Sequence, residues 1–342
     1  MKLLPLLTAE LPGCGGHFKE TPDDFEVEEI PAYLPSGEGE HLYLKVEKRG
    51  VATPDAAKRL SRHLGLPEGA VSWAGLKDKQ ALTRQWMSVA ARPGAEAELA
   101  TFIDPEVKLL EVTRHRNKLK GGHLHGNRFK IRLASVKDPG AARAVLAVLK
   151  ERGLPNYFGA QRFGAAGTNA ARGKAILLKA AAGGRRGRPD FERKLLLSAY
   201  QSELFNRLLA RRLEAGLFSK VKKGDVLKKH ETSGEFVCAE VAIDQPRMDA
   251  FEVSPTGPMY GPSMRRAEDE AGADEAKVLA EEGLTIESFA GGGGETDGAR
   301  RFYRIGLPDV GLEERGSDLW LAFTLPAGAY ATVVLAELLK PI

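Results

Sequence analysis

Residues Ser72 to Trp86 read SWAGLKDKQALTRQW, and the rest of the chain organises around this stretch. Val71 to Gly75 and Thr83 to Ala90 have strand composition, so Leu76 to Leu82 is expected to be the loop that joins them. Asp78 falls in that loop between Lys77 and Lys79, with Arg84 following. Flanking cations favour the ionised carboxylate, which makes Asp78 a poor general acid and an available nucleophile or ion-pair partner. A solvated Lys-Asp-Lys turn has the same local composition, so the aspartate takes its meaning from the whole string.

Upstream, Leu42, Leu44 and Val46 alternate with Tyr43, Lys45 and Glu47, the period of a half-buried strand. A helix follows, with Thr53 placed to cap it, Pro54 at its first position, Leu60 and Leu64 one turn apart and Gly65 as its stop. Downstream, Asn127 to Ala134 alternates again, with Phe129, Ile131 and Leu133 on one side and Arg128, Lys130 and Arg132 on the other. This strand is expected to carry a basic outer face. Gly140 to Arg152 is an Ala- and Leu-rich helix ended by Gly153, and Pro155 opens a more helical, glycine-interrupted region. There Asp190 to Leu217 and Ala267 to Glu282 read as helices and Gly291 to Gly294 as a flexible tip. Strand character returns at Leu319 to Leu325, before a closing helix from Tyr330 to Lys340. The middle of the chain is therefore expected to be an insertion into one domain.

A chain of 342 residues, 43% of them hydrophobic, exceeds the usual size of a single core, so two domains are expected. No run of about 18 apolar residues occurs, so no membrane span is expected, and the start MKLLPLLTAELPG reads as a strand and not as a signal peptide. Cys14 and Cys238 stand far apart and support neither a disulfide framework nor a zinc knuckle, which fits a reducing cytoplasm. The net charge of +4 does not by itself diagnose a polyanion-binding protein, but the basic residues cluster. Arg114 to Arg132 contains no acid, and further clusters stand at Arg185, Arg186 and Arg188 and at Lys220 to Lys229. GAAGTNAARGK, Gly164 to Lys174, fails as a phosphate-binding loop on its spacing and on Ala175, which replaces the required Ser or Thr. His123 and His125 lack a third ligand at metal-binding spacing and read as exposed or RNA-facing.

The string around Asp78 resembles the catalytic motif of the TruD family of pseudouridine synthases, G-x-K-D-x-x-A-x-T-x-Q-W. Gly75, Lys77, Asp78, Ala81, Thr83, Gln85 and Trp86 meet it. PNYFGAQRFG, Pro155 to Gly164, is similar to the string that opens that family's insertion domain, and it follows in the family's order. TPDDFEVEEI, SGEGEHLYLKVEKRG, GNRF, QSELFN and LPAGAYAT extend the resemblance over nearly the whole chain.

The resemblance implies an α+β fold: a pseudouridine-synthase-like catalytic domain, with a central mixed, largely antiparallel sheet, from residues 1–155 and 305–342. A family-specific α/β insertion domain would occupy 156–304. It implies isomerisation of a uridine in transfer RNA, position 13 of the D arm, to pseudouridine, with Asp78 as the essential carboxylate and no metal or organic cofactor. Phe25, Asn127, Phe129 and Tyr330 are the implied substrate contacts; Tyr330 stands where the family usually has Phe, which keeps the ring and adds a hydroxyl. Lys19, Lys77, Lys79, Arg84, Arg128, Lys130 and Arg132 are the candidate RNA contacts. A cytoplasmic monomer with transfer RNA as its partner is expected.

That chemistry breaks the N1–C1′ bond, turns the uracil and joins C5 to C1′, so it requires a carboxylate able to attack or deprotonate the sugar, add to the base or stabilise a cationic sugar. It also requires aromatic surfaces for a base taken out of its stack. A glycoside hydrolase would need a second carboxylate, for which no partner of Asp78 stands out. A non-catalytic RNA-binding or RNA-folding protein is the alternative, since basic segments and aromatics alone would serve it.

Overall fold

The structure, a computed structural model, describes residues 4–181 and 191–340. The cluster Arg185, Arg186 and Arg188, the expected helix start at Asp190 and residues 1–3 lie outside the described residues. Two compact units emerge: Gly13–Arg143 with Leu307–Ala331, and Ala144–Gly306 with a segment from each end of the chain.

The first unit is built on a nine-stranded sheet. Its strands are β1 (His17–Phe18), β2 (Phe25–Pro31), β3 (His41–Arg49), β4 (Ser72–Trp73), β5 (Leu82–Ala90), β6 (Val107–His115) and β7 (Leu124–Ala134). After six strands of the other unit, β8 (Leu154–Pro155), β9 (Val226–Lys229), β10 (Glu235–Val237), β11 (Val253–Met259), β12 (Ala299–Phe302) and β13 (Arg304–Ile305), it gains β14 (Gly311–Arg315) and β15 (Asp318–Pro326). The main path runs β14-β15-β7-β2-β5-β3-β6, with β1 on β7 and β4 on β5. Every pairing is antiparallel except β2 with β5, so the sheet is mixed and largely antiparallel. The strand at the end of the sequence lies directly on β7, Phe323 opposite Phe129 and Leu325 opposite Asn127. Leu42, Leu44, Val46, Met87 and Val89 form the core of this sheet with Leu60 and Leu64 of the helix Thr53–His63 and its C-terminal end.

Residues paired directly across strands share a face. One row therefore runs Lys48, Thr83, Val27, Phe129, Phe323 across five strands, and all five side chains are buried. The neighbouring row on the opposite face runs Glu47, Arg84, Glu28, Arg128. The outward side chains of β7 are basic as expected, but acids of β2 answer them.

Several local expectations are corrected. Ala52, not Thr53, is the residue before the helix, and Thr53 turns its hydroxyl inward. The residues before His17 form turn and coil, with no strand among those described. The strand expected at Val71 to Gly75 shortens to Ser72–Trp73. Gly291 to Gly294 lie within a 3-10 stretch, Ile286–Thr296, whose Phe289 is buried against Tyr260.

In the second unit, β8 (Leu154–Pro155) pairs antiparallel with β13 (Arg304–Ile305), so the ends of the intervening segment are clasped side by side. Gly153, at φ +82, is required there: a Cβ would meet Arg304 Cγ at 2.7 Å and Ile305 O at 2.9 Å. Gly173 of GAAGTNAARGK also has a packing reason, because a Cβ would stand 2.0 Å from Leu196 O where two helices touch.

Candidate active site

The loop between β4 and β5 is fastened to the core by side chains remote in sequence. Thr53 Oγ1 accepts from the Lys77 backbone N–H at 3.0 Å and donates to Gln85 Oε1 at 2.8 Å. Gln85 Nε2 donates to Gly75 O at 3.1 Å. Lys77 Nζ is ion-paired at 2.5 Å with Glu29 Oε2, both side chains almost wholly buried, and Glu29 Oε1 accepts from Trp86 N at 3.2 Å. Buried charges persist only when paired and hydrogen-bonded, and this pair meets both conditions. Leu76, Lys79 and Gln80 of the loop are exposed, whereas Ala74 and Ala81 at its two ends are buried.

Asp78 sits between these regimes, its side chain 30% accessible. Lys19 Nζ is 3.8 Å from Asp78 Oδ1 and 3.8 Å from the centroid of the Phe25 ring. Burial pulls the Lys19 pKa down, and the charge of Asp78 works against that. Lys48 Nζ donates to the backbone carbonyl of Asp78 at 2.8 Å. Its burial is complete and pushes its pKa down to about 8, with Asp78 opposing the shift and Lys77 adding to it.

Beyond Lys19 the rings continue. Phe25 meets Phe129 edge-on at 6.1 Å, and Phe129 stacks on Phe323 at 5.3 Å and 25°. Asn127, two residues before Phe129 on the same face, has a buried Oδ1 with no hydrogen-bond partner among the described residues. Tyr330 is half-buried just after the turn that follows β15, and that turn is tied to β7 by Ala327 N donating to His125 O at 2.9 Å.

The structure thus gathers Asp78, Lys19, Phe25 and Phe129 through successive contacts, and Asn127 belongs to the same sheet face. Lys77 is spent on Glu29 inside the core. Arg84, Arg128, Lys130 and Arg132 project from the opposite face, where Arg84 pairs with Glu47 at 2.8 Å, Arg128 with Glu28 at 3.8 Å and Lys130 with Glu26 at 3.7 Å. Arg132 is held between Asp24 at 3.0 Å and Asp318 at 2.8 Å. Lys79 is exposed and has no carboxylate partner among the described residues.

Glu29, Lys48, Thr53 and Phe323 were not singled out from the sequence as site residues. The first two carried a signal, because each is a charged residue in the buried phase of its strand: Glu29 with Phe25 and Val27, Lys48 with Leu42, Leu44 and Val46. Charge in that phase marks a polar site cut into a core.

Chemically, the site offers an ionisable carboxylate at a solvent edge, one cation beside it and an aromatic floor, which suits attack on, or stabilisation of, an electron-poor carbon next to a flat ring. Among the described residues no group of three His, Cys, Asp or Glu side chains is placed to hold a metal ion.

The sequence profile described as tRNA pseudouridine synthase D (TruD) matches residues 4–183 and 189–338. Among curated proteins, tRNA pseudouridine synthase D of Anaeromyxobacter dehalogenans (strain 2CP-C) is 51% identical over 340 residues, covering 98% of this chain and 96% of its own. A protein of that name from Thermus thermophilus is 44% identical over 338 residues, covering 98% and 92%. Among solved structures, that of a Methanosarcina mazei protein assigned as tRNA pseudouridine synthase D superposes with a TM-score of 0.75 at 24% identity, over 100% of this chain and 96% of that one.

Proposed function

Because the chain belongs to the tRNA pseudouridine synthase D family, we propose that Asp78 is the carboxylate through which it isomerises uridine 13 of transfer RNA to pseudouridine. The chain is a transfer-RNA-modifying isomerase, and no redox change accompanies its reaction. The observation that carries the reading is the way the loop is held: Gly75 and Lys77 are bonded into the core while Asp78, between Lys77 and exposed Lys79, keeps its carboxylate at the solvent edge.

In this reading the target uridine leaves its stack and lies against half-buried Tyr330, over a floor whose rings, Phe25 and Phe129, are largely buried. The Oδ1 of Asn127, without a partner among the described residues, is complementary to the N3–H of uracil. Asp78 acts on the nucleoside while the N1–C1′ bond breaks, the detached base turns within the pocket, and C5 joins C1′. N1 gains a proton and C5 gives one up, so no atom is lost overall. Lys19 supplies the positive charge beside the carboxylate.

Lys19 and Lys79 are the cations best placed to meet phosphates near the flipped nucleotide, and the outward residues of β7 would meet RNA only at the expense of their acids. Residues 1–155 and 305–342 form the catalytic domain in this reading and 156–304 an insertion that helps select the RNA; the clasp of β8 on β13 supports the ends of that insertion, whereas the compact units group residues 144–155 and both chain ends with the middle segment. The protein works as a cytoplasmic monomer. Among the described residues no helix is long and apolar enough to cross a membrane.

The test is incubation of the chain with an unmodified transfer-RNA transcript, followed by mapping of pseudouridine at nucleotide resolution. Product at position 13 supports the reading; binding without product would leave only an RNA-binding protein.

A further inference from the structure

We infer that Lys48 is a positioning residue: its buried ammonium group holds the main chain of Asp78 so that the carboxylate meets the reacting nucleoside, and turnover depends on it while RNA binding does not. The inference rests on the reading of Asp78 as catalytic.

Lys48 occupies a place where the pattern calls for an apolar residue. It continues the phase of Leu42, Leu44 and Val46, it is wholly buried, and among the described residues no carboxylate lies within ion-pair distance of it. A buried charge without a counter-ion is costly, and stability alone would be served better by Met or Leu. Its hydrogen bond among the described residues goes to Asp78 O at 2.8 Å. A charged N–H donor makes a shorter and stronger bond than a neutral amine, so the loop is held more firmly by the protonated form.

A second observation lies directly opposite. Thr83 is the cross-strand partner of Lys48, and its buried Oγ1 lacks a hydrogen-bond partner among the described residues. Two polar groups side by side in a core, one singly bonded and one unbonded, mark a place that the protein's own groups do not satisfy. The groups facing Lys48 are few: Asp78 and Lys77 from the loop, Thr83 from β5 and Val107 from β6. Asp78 favours the charged amine and Lys77 opposes it, and each already has a partner of opposite charge, Lys19 for Asp78 and Glu29 for Lys77. Burial outweighs both and brings the titration of the amine to about 8, within the range where the enzyme can be assayed.

The experiment compares the full-length chain with Lys48→Met, Lys48→Arg and Asp78→Asn, measuring single-turnover rate on a transfer-RNA transcript from about pH 6 to about pH 9.5. RNA affinity and melting temperature are taken on the same samples. Expected are a wild-type rate that falls above about pH 8 and a Lys48→Met rate lower by roughly 100-fold, without that alkaline fall and with affinity within about 3-fold. Lys48→Arg should recover part of the rate and carry the alkaline limb upward, because guanidinium stays protonated. A Lys48→Met rate within about 3-fold of wild type, or an alkaline limb that persists in Lys48→Met, would overturn the inference. If Lys48→Met does not fold, the wild-type and Lys48→Arg profiles decide: no limb near 8, or the same limb in both, overturns it. Asp78→Asn separates the levels, since activity in that variant would remove the premise, whereas an inactive Asp78→Asn beside an active Lys48→Met removes only the role of Lys48.

Discussion

The hydroxyl of Thr53, at the start of a helix more than twenty residues before the reactive loop, accepts the backbone N–H of Lys77 at 3.0 Å. The same oxygen donates to Gln85, which returns a bond to Gly75, so one buried threonine ties both ends of the loop to the sheet. Thr53→Val keeps the shape and removes the hydroxyl, leaving a buried N–H and a buried amide oxygen unsatisfied. A loss of about 1–3 kcal/mol in denaturant unfolding is expected, with a fall in turnover. Unchanged stability would show that water replaces the hydroxyl without cost.

Glu29 and Lys77 form an ion pair with almost no solvent contact. Removing either partner strands the other, so Glu29→Gln and Lys77→Met are each expected to cost about 3–5 kcal/mol. The double variant should cost less than their sum by at least about 1 kcal/mol, a coupling that a double-mutant cycle measures. Additive losses would mean that the two side chains act on stability independently.

Much of this was legible in the sequence, and the omissions share a cause. The alternation in β3 and β7 gives strand faces directly, and SWAGLKDKQALTRQW locates the loop and its aspartate because one contiguous string carries them. The acids that answer Arg128 and Lys130 come from β2, whose place between β7 and β5, antiparallel to one and parallel to the other, no local pattern dictates. Thr53 has the composition of a cap, and only tertiary packing turns its hydroxyl toward Lys77 instead. Lys48 was detectable as a lysine in the buried phase, but its partner is a backbone carbonyl, which leaves no trace in side-chain composition.

The distribution of cations yields a third expectation. Lys79 is exposed and has no acid partner among the described residues, whereas Arg128 pairs with Glu28 on the opposite face of the sheet. Lys79→Gln should weaken transfer-RNA binding and lower the logarithmic salt slope by roughly 1, while Arg128→Gln leaves both nearly unchanged. Binding titrations at several salt concentrations check this, and the opposite ranking would place the RNA on the outer face of β7.

Tyr330 offers a ring and a hydroxyl. If it serves as a stacking surface, Tyr330→Phe keeps the turnover number and Tyr330→Ala raises KM, with a loss of about 1–3 kcal/mol of stacking free energy per base. Steady-state kinetics separate the two, and equal losses in both variants would assign the work to the hydroxyl.

The most direct test is Asp78→Asn, which preserves the size of the side chain and removes its charge and nearly all its nucleophilicity. Melting temperature, transfer-RNA affinity and pseudouridine formation would be measured on one purified sample. Folding should persist, because the partly exposed carboxylate makes a single ion pair at 3.8 Å among the described residues, and such pairs contribute about 0–1 kcal/mol. Affinity should hold or tighten, since a negative charge has left the RNA-facing edge. Pseudouridine should disappear. Near-normal product from Asp78→Asn would contradict the assignment of Asp78 as the catalytic carboxylate.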